Sequence, residues 1–129
     1  MTKTVTLPLD PVPYPRPRVN RRGEVYYPKT YSTWKGAAYR QVPGAVANAG
    51  IFKPLLVPLL VTLVLRVTRP KTTKFQFPKP DVDNYAKSVL DACNGIAWED
   101  DSQIVKLTVS KEWAEPGVPG NIEIHIDQL

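Results

Sequence analysis

Cysteine, histidine and methionine occur once each in this chain of 129 residues. A single cysteine, Cys93, cannot close an internal disulfide, and no early apolar run follows a basic start, so neither a disulfide framework nor a signal peptide is expected. Long hydrophobic runs are also missing. The most apolar stretch, Leu55 to Leu65, is interrupted by Pro58 and falls short of the roughly 20 residues that a membrane-crossing helix needs. A reducing, cytoplasmic setting without membrane contact is therefore expected. The third scarcity is of acids, and it is local: residues 1 to 80 hold 2 Asp/Glu against 14 Lys/Arg, whereas residues 81 to 129 hold 10 against 3.

What is present suits one domain spanning 1–129, with 43% hydrophobic residues to build a core. The net charge of +5 conceals two opposed halves. A basic surface attracts the phosphate backbone through counterion release, while an acidic cluster repels it unless a cation lies between them.

Val5, Leu7 and Leu9 alternate with polar residues or proline, the period of a half-buried strand. Prolines then recur between Pro11 and Pro28 together with Arg16, Arg18, Arg21 and Arg22, which predicts an extended basic arm over 11–28. Ser32 or Thr33 is placed to cap a helix carrying Trp34, Ala37, Ala38 and Val42, which Pro43 and Gly44 should kink or split. Leu59, Val61, Leu63, Leu65 and Val67 share one face of a central strand whose apolar side helices should cover. Residues 66–80 then form a basic loop with Arg69, Lys71, Lys74 and Lys79. Val82, Ala86, Val89, Leu90 and Cys93 recur at helical spacing, with Asn94-Gly95 as the stop. Val105, Leu107 and Val109, then Ile122, Ile124 and Ile126, mark two last strands that suggest an antiparallel hairpin across a Pro/Gly turn. The expected fold is α+β, with a mixed or antiparallel sheet of about four strands and two main helices.

Asp81 and Asp83 stand two residues apart where an extended chain enters the second helix, a spacing at which both point the same way. Asp100-Asp101 supplies a third acid. The helix carries the chain away by roughly 16 Å and the steps from Gly95 to Asp101 can return about 20 Å, so a cluster of Asp81, Asp83 and Asp101 is reachable. Carboxylates about 5 Å apart repel by roughly 3 kcal/mol, which a magnesium ion would relieve. Lys87 follows Asp83 by four residues and so shares its helical face, where an ammonium can bind phosphate or damp transition-state charge. Plainer readings exist. An Asp before a helix is ordinarily a cap, though capping does not explain both aspartates plus Asp100-Asp101. Lys87 with Asp83 or Asp91 can be an exposed helical pair, and for Asp91 that is the simpler view. Cys93 and Trp98 read most simply as packing residues, and His125 as a surface residue.

The block Lys79-Pro80-Asp81-Val82-Asp83-Asn84-Tyr85-Ala86-Lys87, followed by Leu90-Asp91-Ala92, Trp98 and Asp100-Asp101-Ser102-Gln103-Ile104-Val105, resembles the RusA family of Holliday-junction resolvases, small endonucleases of bacteria and their phages. The Pro15-Arg16-Pro17-Arg18 segment resembles many phage-type members. The resemblance implies magnesium dependence, with manganese a possible substitute, a homodimer, and paired incisions that resolve four-way DNA junctions. It sets Asp81, Asp83 and Asp101 on the family's essential acids, Lys87 on its catalytic lysine and Asp100 on the neighbouring acid, so that Asp81, Asp83, Asp100 and Asp101 are the expected metal ligands. The Pro-rich arm and Pro43 depart from the family pattern.

Arg16, Arg18, Arg21 and Arg22, interleaved with Tyr14, Tyr26 and Tyr27, are suited to grip phosphates and stack on unpaired bases, and Arg69, Lys71, Lys74 and Lys79 offer a second grip. Branched DNA, with no small-molecule substrate, is the expected partner. A non-catalytic DNA-binding module and a nuclease for other branched DNA are the rivals. Docking of the Pro-rich arm to SH3-like domains is less favoured because of its arginines. A glycosyltransferase Asp-x-Asp site finds little room in a chain of this size.

Overall fold

A computed structural model describes residues 2–129. From the N-terminus the chain forms β1 (Thr2–Leu7), a short hairpin of β2 (Arg18–Val19) and β3 (Val25–Tyr26), α1 (Lys29–Asn48), β4 (Leu59–Val67), α2 (Val82–Cys93), a 3-10 turn (Asp101–Gln103), β5 (Ile104–Trp113) and β6 (Asn121–Gln128). Among the described residues no helix is long and apolar enough to cross a membrane.

The four long strands make one mixed sheet in the order β1-β6-β4-β5. Strand alternation sends Val5 and Leu7, Leu59 to Leu65 at every second position, and Ile122, Ile124 and Ile126 to one face, where all are buried against α1 and α2. The arrangement is a small α+β domain with one core, as the periodicity indicates.

The expected hairpin of the last two strands does not form. β4 lies between them, with Leu63 opposite Val109 of β5 in a parallel pairing and opposite Ile124 of β6 in an antiparallel one. The composition of β4 explains why: Leu59–Val67 is an almost unbroken apolar run, the pattern of an interior strand with a neighbour on each side. The segment from Ala114 to Gly120 passes around the end of β4 instead of reversing tightly; the Ala114 amide donates to the Val67 carbonyl (2.8 Å) and the Gly120 amide to Thr68 Oγ1 (2.8 Å).

α1 also departs from expectation. It begins at Lys29, after Pro28, with no side-chain cap, and Ser32 and Thr33 lie inside it. The helix continues through Pro43 to Asn48. An interior proline costs about 3 kcal/mol. The buried stripe of Tyr31, Trp34, Val42 and Val46 outweighs it, because each such side chain contributes about 1.5–3 kcal/mol. The arm over 11–28 is likewise more structured than an extended run, since it contains the β2–β3 hairpin.

Gly120 sits in the tightest part of the strand crossing. A Cβ there would lie 2.9 Å from the Thr68 nitrogen and closer still to the Asp10 carboxylate and the Arg66 carbonyl oxygen. Gly120→Ala is expected to destabilise the fold by about 3 kcal/mol, read as a lower urea midpoint at unchanged m-value.

Candidate active site

The parallel pairing of β4 with β5 makes α2 a crossover helix, because parallel neighbours cannot be joined by a tight turn. Its buried face carries Tyr85, Ala86, Ser88, Val89, Ala92 and Cys93. Asp83, Lys87 and Asp91 follow at intervals of four along one helix stripe, the first two exposed and Asp91 half-buried. Asp81 occupies the N-cap position in extended backbone, yet its side chain makes no capping bond. The plain capping role therefore does not account for it. Asp83 Oδ1 accepts from the Asn84 amide (3.0 Å), and Lys87 Nζ pairs with Asp91 Oδ2 (3.3 Å).

After α2 the chain turns at Gly95, whose φ of +82° suits glycine. It then enters the fully buried Trp98. The Trp98 indole Nε1 donates to Asp101 Oδ1 (2.6 Å), and the Asp101 amide donates to Asn94 Oδ1 (2.8 Å). Asp101 is thus fixed from two sides. Asp100 instead caps the 3-10 turn: its carboxylate accepts from the Ser102 amide (3.0 Å), while Gln103 Oε1 accepts from the Asp100 amide (2.8 Å). The Ser102 hydrogen bonds hold Asp100 below the usual carboxylate range. Burial raises Asp101 above that range, against the Trp98 hydrogen bond; Asp91 and Asp100 push the same way as burial, and Lys87 opposes.

A cavity of about 510 Å³ runs between α2 and β5, with Asp83, Lys87, Asp91 and Asp101 on its walls and Ala86, Leu90, Leu107 and Val109 among its apolar lining. Asp101 shares this cavity with Asp91 and Lys87, whose charges act on its ionisation. Asp83 lies in the first turn of α2, roughly 12 Å from Asp91 along the helix, whereas Asp101 is bonded to Asn94 at the helix's C-terminal end. Asp81 precedes Asp83. Among the described residues, no three or more His, Cys, Asp or Glu side chains are already gathered to hold one metal ion. The donor chemistry nevertheless fits a hard divalent cation, since carboxylate oxygens face the cavity and neither Asp81 nor Asp83 forms an ion pair among the described residues.

The family model described as Endodeoxyribonuclease RusA matches residues 8–127, nearly the whole chain. The chain belongs to the RusA endodeoxyribonuclease family. It is also 42% identical over 77 residues to Uncharacterized protein YqaN of Bacillus subtilis (strain 168), a stretch that covers 60% of this chain and 45% of that relative. The chain thus matches less than half the length of that curated relative.

In this RusA-family chain the basic residues singled out from the sequence are all exposed. Arg18 lies on β2, and Arg21 and Arg22 occupy the turn of the β2–β3 hairpin, where Asn20 Oδ1 accepts from the Arg22 and Glu24 amides. The loop bearing Arg69, Lys71, Lys74 and Lys79 is held by Trp113 Nε1 donating to the Phe75 carbonyl (2.9 Å) and by Lys111 Nζ donating to the Pro80 carbonyl (2.6 Å). Sequence reasoning passed over Lys111, Phe75 and Phe77. Lys111 lies 5.4 Å from the Phe77 ring centroid, and both phenylalanines are more than half exposed. Their aromatic-basic interleaving was the available signal. Cys93 is buried, its thiol pushed up to about 12 chiefly by desolvation. His125 bonds Thr4 and Glu123 on the opposite face of the sheet from the helices.

The raised Asp101 pKa fixes a sign for pH dependence. In metal-free protein the native state holds this proton more tightly than the unfolded chain. The resulting cost is absent below the unfolded Asp value and reaches its full size above the folded one. Asp101→Asn should therefore gain stability relative to the parent as pH rises through the carboxylate range. Urea melts in EDTA at several pH values check this; a difference independent of pH contradicts it.

Proposed function

We propose that this chain is a magnesium-dependent endonuclease that resolves four-way DNA junctions by paired, symmetric phosphodiester cleavage, using Asp81, Asp83, Asp101 and Lys87. The observation that carries the reading is the cavity beside α2, which Asp83, Lys87 and Asp101 all line, within the span matched by the endodeoxyribonuclease family. Asp81, Asp83 and Asp101 would hold magnesium, or manganese in its place, which would supply Lewis-acid activation of water and of the scissile phosphodiester.

The chain's own groups do the rest. Trp98 and Asn94 fix Asp101, so its second carboxylate oxygen is presented in one orientation. Asp100 is already engaged as a cap, which favours a supporting role for it over direct ligation. The Lys87 ammonium sits where it can pair with a phosphate oxygen and offset charge that grows during displacement. The arginines of the arm and the basic loop take phosphates on either side, which fits the charge opposition between the two halves of the chain.

Asp83 and Asp101 lie toward opposite ends of one groove, and β5 is an edge strand with Val105 and Leu107 exposed beside the exposed Val82. Both observations favour a two-fold dimer across this groove, in which the Asp81-Asp83 pair of one subunit meets Asp101 of the other. A junction offers two symmetry-related strands, and such a dimer offers two sites.

Asp83→Asn tests the activity. The variant is expected to bind a labelled four-way junction as the parent does and to lose cleavage by more than about 100-fold, since even outer-shell partners of a metal typically carry 10–100-fold effects. EDTA should abolish cutting by the parent, and a linear duplex should stay uncut. Undiminished cleavage by the variant would reject the site, and binding without any metal-dependent cutting by the parent would favour a non-catalytic DNA-binding module. Equal cutting of flaps or forks would shift the substrate to other branched DNA. The shared site has its own test. Neither Asp83→Asn nor Asp101→Asn alone should cut, but mixed dimers of the two should recover nicking at one intact site; no recovery despite proven subunit exchange would mean that each subunit holds a complete set.

A further inference from the structure

The N-terminal arm reaches Lys87, a residue of the cavity wall, through one aromatic ring. Lys87 Nζ lies 4.6 Å from the centroid of Tyr14 and 3.3 Å from Asp91 Oδ2. The Lys87 side chain is about half exposed (53%). A lysine in that situation samples many rotamers unless something holds it. Here an aromatic face and a carboxylate flank the ammonium.

Tyr14 is itself held firmly. Its amide donates to the Asn84 carbonyl (2.8 Å), three residues before Lys87 on α2. Its hydroxyl lies 3.1 Å from that of Tyr27, and its ring meets Tyr31 edge to face at 5.2 Å. Tyr31 is buried in α1, so the ring is braced from the core. Two residues earlier, the Val12 carbonyl accepts from the buried Ser88 hydroxyl of α2. The hydrogen bond with Tyr27, then desolvation, raise the Tyr14 pKa above the usual phenol value.

We propose that Tyr14 is a positioning residue that, with Asp91, holds the Lys87 ammonium toward the cleavage cavity and so ties the arginine-bearing arm to the reaction. This rests on the nuclease reading. A partly desolvated cation–π contact corresponds to about a tenfold effect on a rate that depends on the cation's position. Arg16 and Arg18 follow Tyr14 by two and four residues. The segment that grips DNA phosphates therefore also carries the ring over Lys87.

Tyr14→Leu and Tyr14→Phe are to be compared with the parent on a four-way junction in magnesium. Tyr14→Leu is expected to lower kcat about tenfold with KM and junction affinity within about twofold, and Tyr14→Phe, which keeps the ring face, to stay within about twofold of the parent. In a Lys87→Met background Tyr14→Leu should cost nothing further, because an effect exerted through Lys87 vanishes with it. A second readout is independent of cutting. NMR of the Lys87 ε-methylene should show an upfield ring-current shift in the parent and Tyr14→Phe that is lost in Tyr14→Leu, with near-parental melting temperatures for all three. Parental kcat in Tyr14→Leu, failure of Tyr14→Phe to rescue, or an unchanged ε-methylene shift would each overturn the proposal. If the parent leaves junctions uncut, the nuclease reading fails, and the NMR comparison still decides whether Tyr14 holds Lys87.

Discussion

The pairing of β4 with a neighbour on each side governs the molecule. Leu59, Val61, Leu63 and Leu65 are buried, Leu60 and Val64 add apolar residues to the other face, and a strand so apolar throughout belongs inside a sheet. With β6 antiparallel on one side, β5 arrives parallel on the other, and parallel neighbours demand a crossover. That crossover is α2. It follows that the Asp-x-Asp pair stands where the chain enters the helix and Asp101 where it returns to the sheet, with the intervening groove open along the β5 edge.

Electrostatics acts on this frame in a way that simple proximity would not. Asp101 is raised because the fold partly buries it, and the buried Trp98 offsets some of that cost through a hydrogen bond. Asp100, one residue earlier, is exposed and satisfied by the turn it caps. Adjacent carboxylates thus have opposite shifts for local reasons, and only one of them faces the cavity. The arm and the 66–80 loop carry much of the chain's exposed positive charge, and charge of that sign attracts polyanions.

Much of the frame was legible from periodicity. Val5 and Leu7, the β4 alternation, the α2 face and Ile122 to Ile126 lie where period-two and helical spacing put them, because a buried face imposes its repeat on the sequence. The β5–β6 hairpin failed for a physical reason: a Pro/Gly segment signals a change of direction but not which strand waits on the far side. Pro43 failed as a helix breaker because the burial of Tyr31, Trp34, Val42 and Val46 exceeds its cost.

For the site, the sequence by itself determined the chemistry available: Asp81, Asp83, Asp100, Asp101 and Lys87 within the span matched by an endodeoxyribonuclease family, set against a basic N-terminal half. Spacing bounds how far apart two side chains can be, so it allowed those acids to meet within one chain without requiring it. Only the tertiary structure decided that Asp101 lies with Asp91 and Lys87, that Asp83 stands farther along the same groove, and that Tyr14 covers the lysine. Those contacts join residues distant in the chain, and they depend on how α2 crosses the sheet and where the arm packs, which no local pattern encodes.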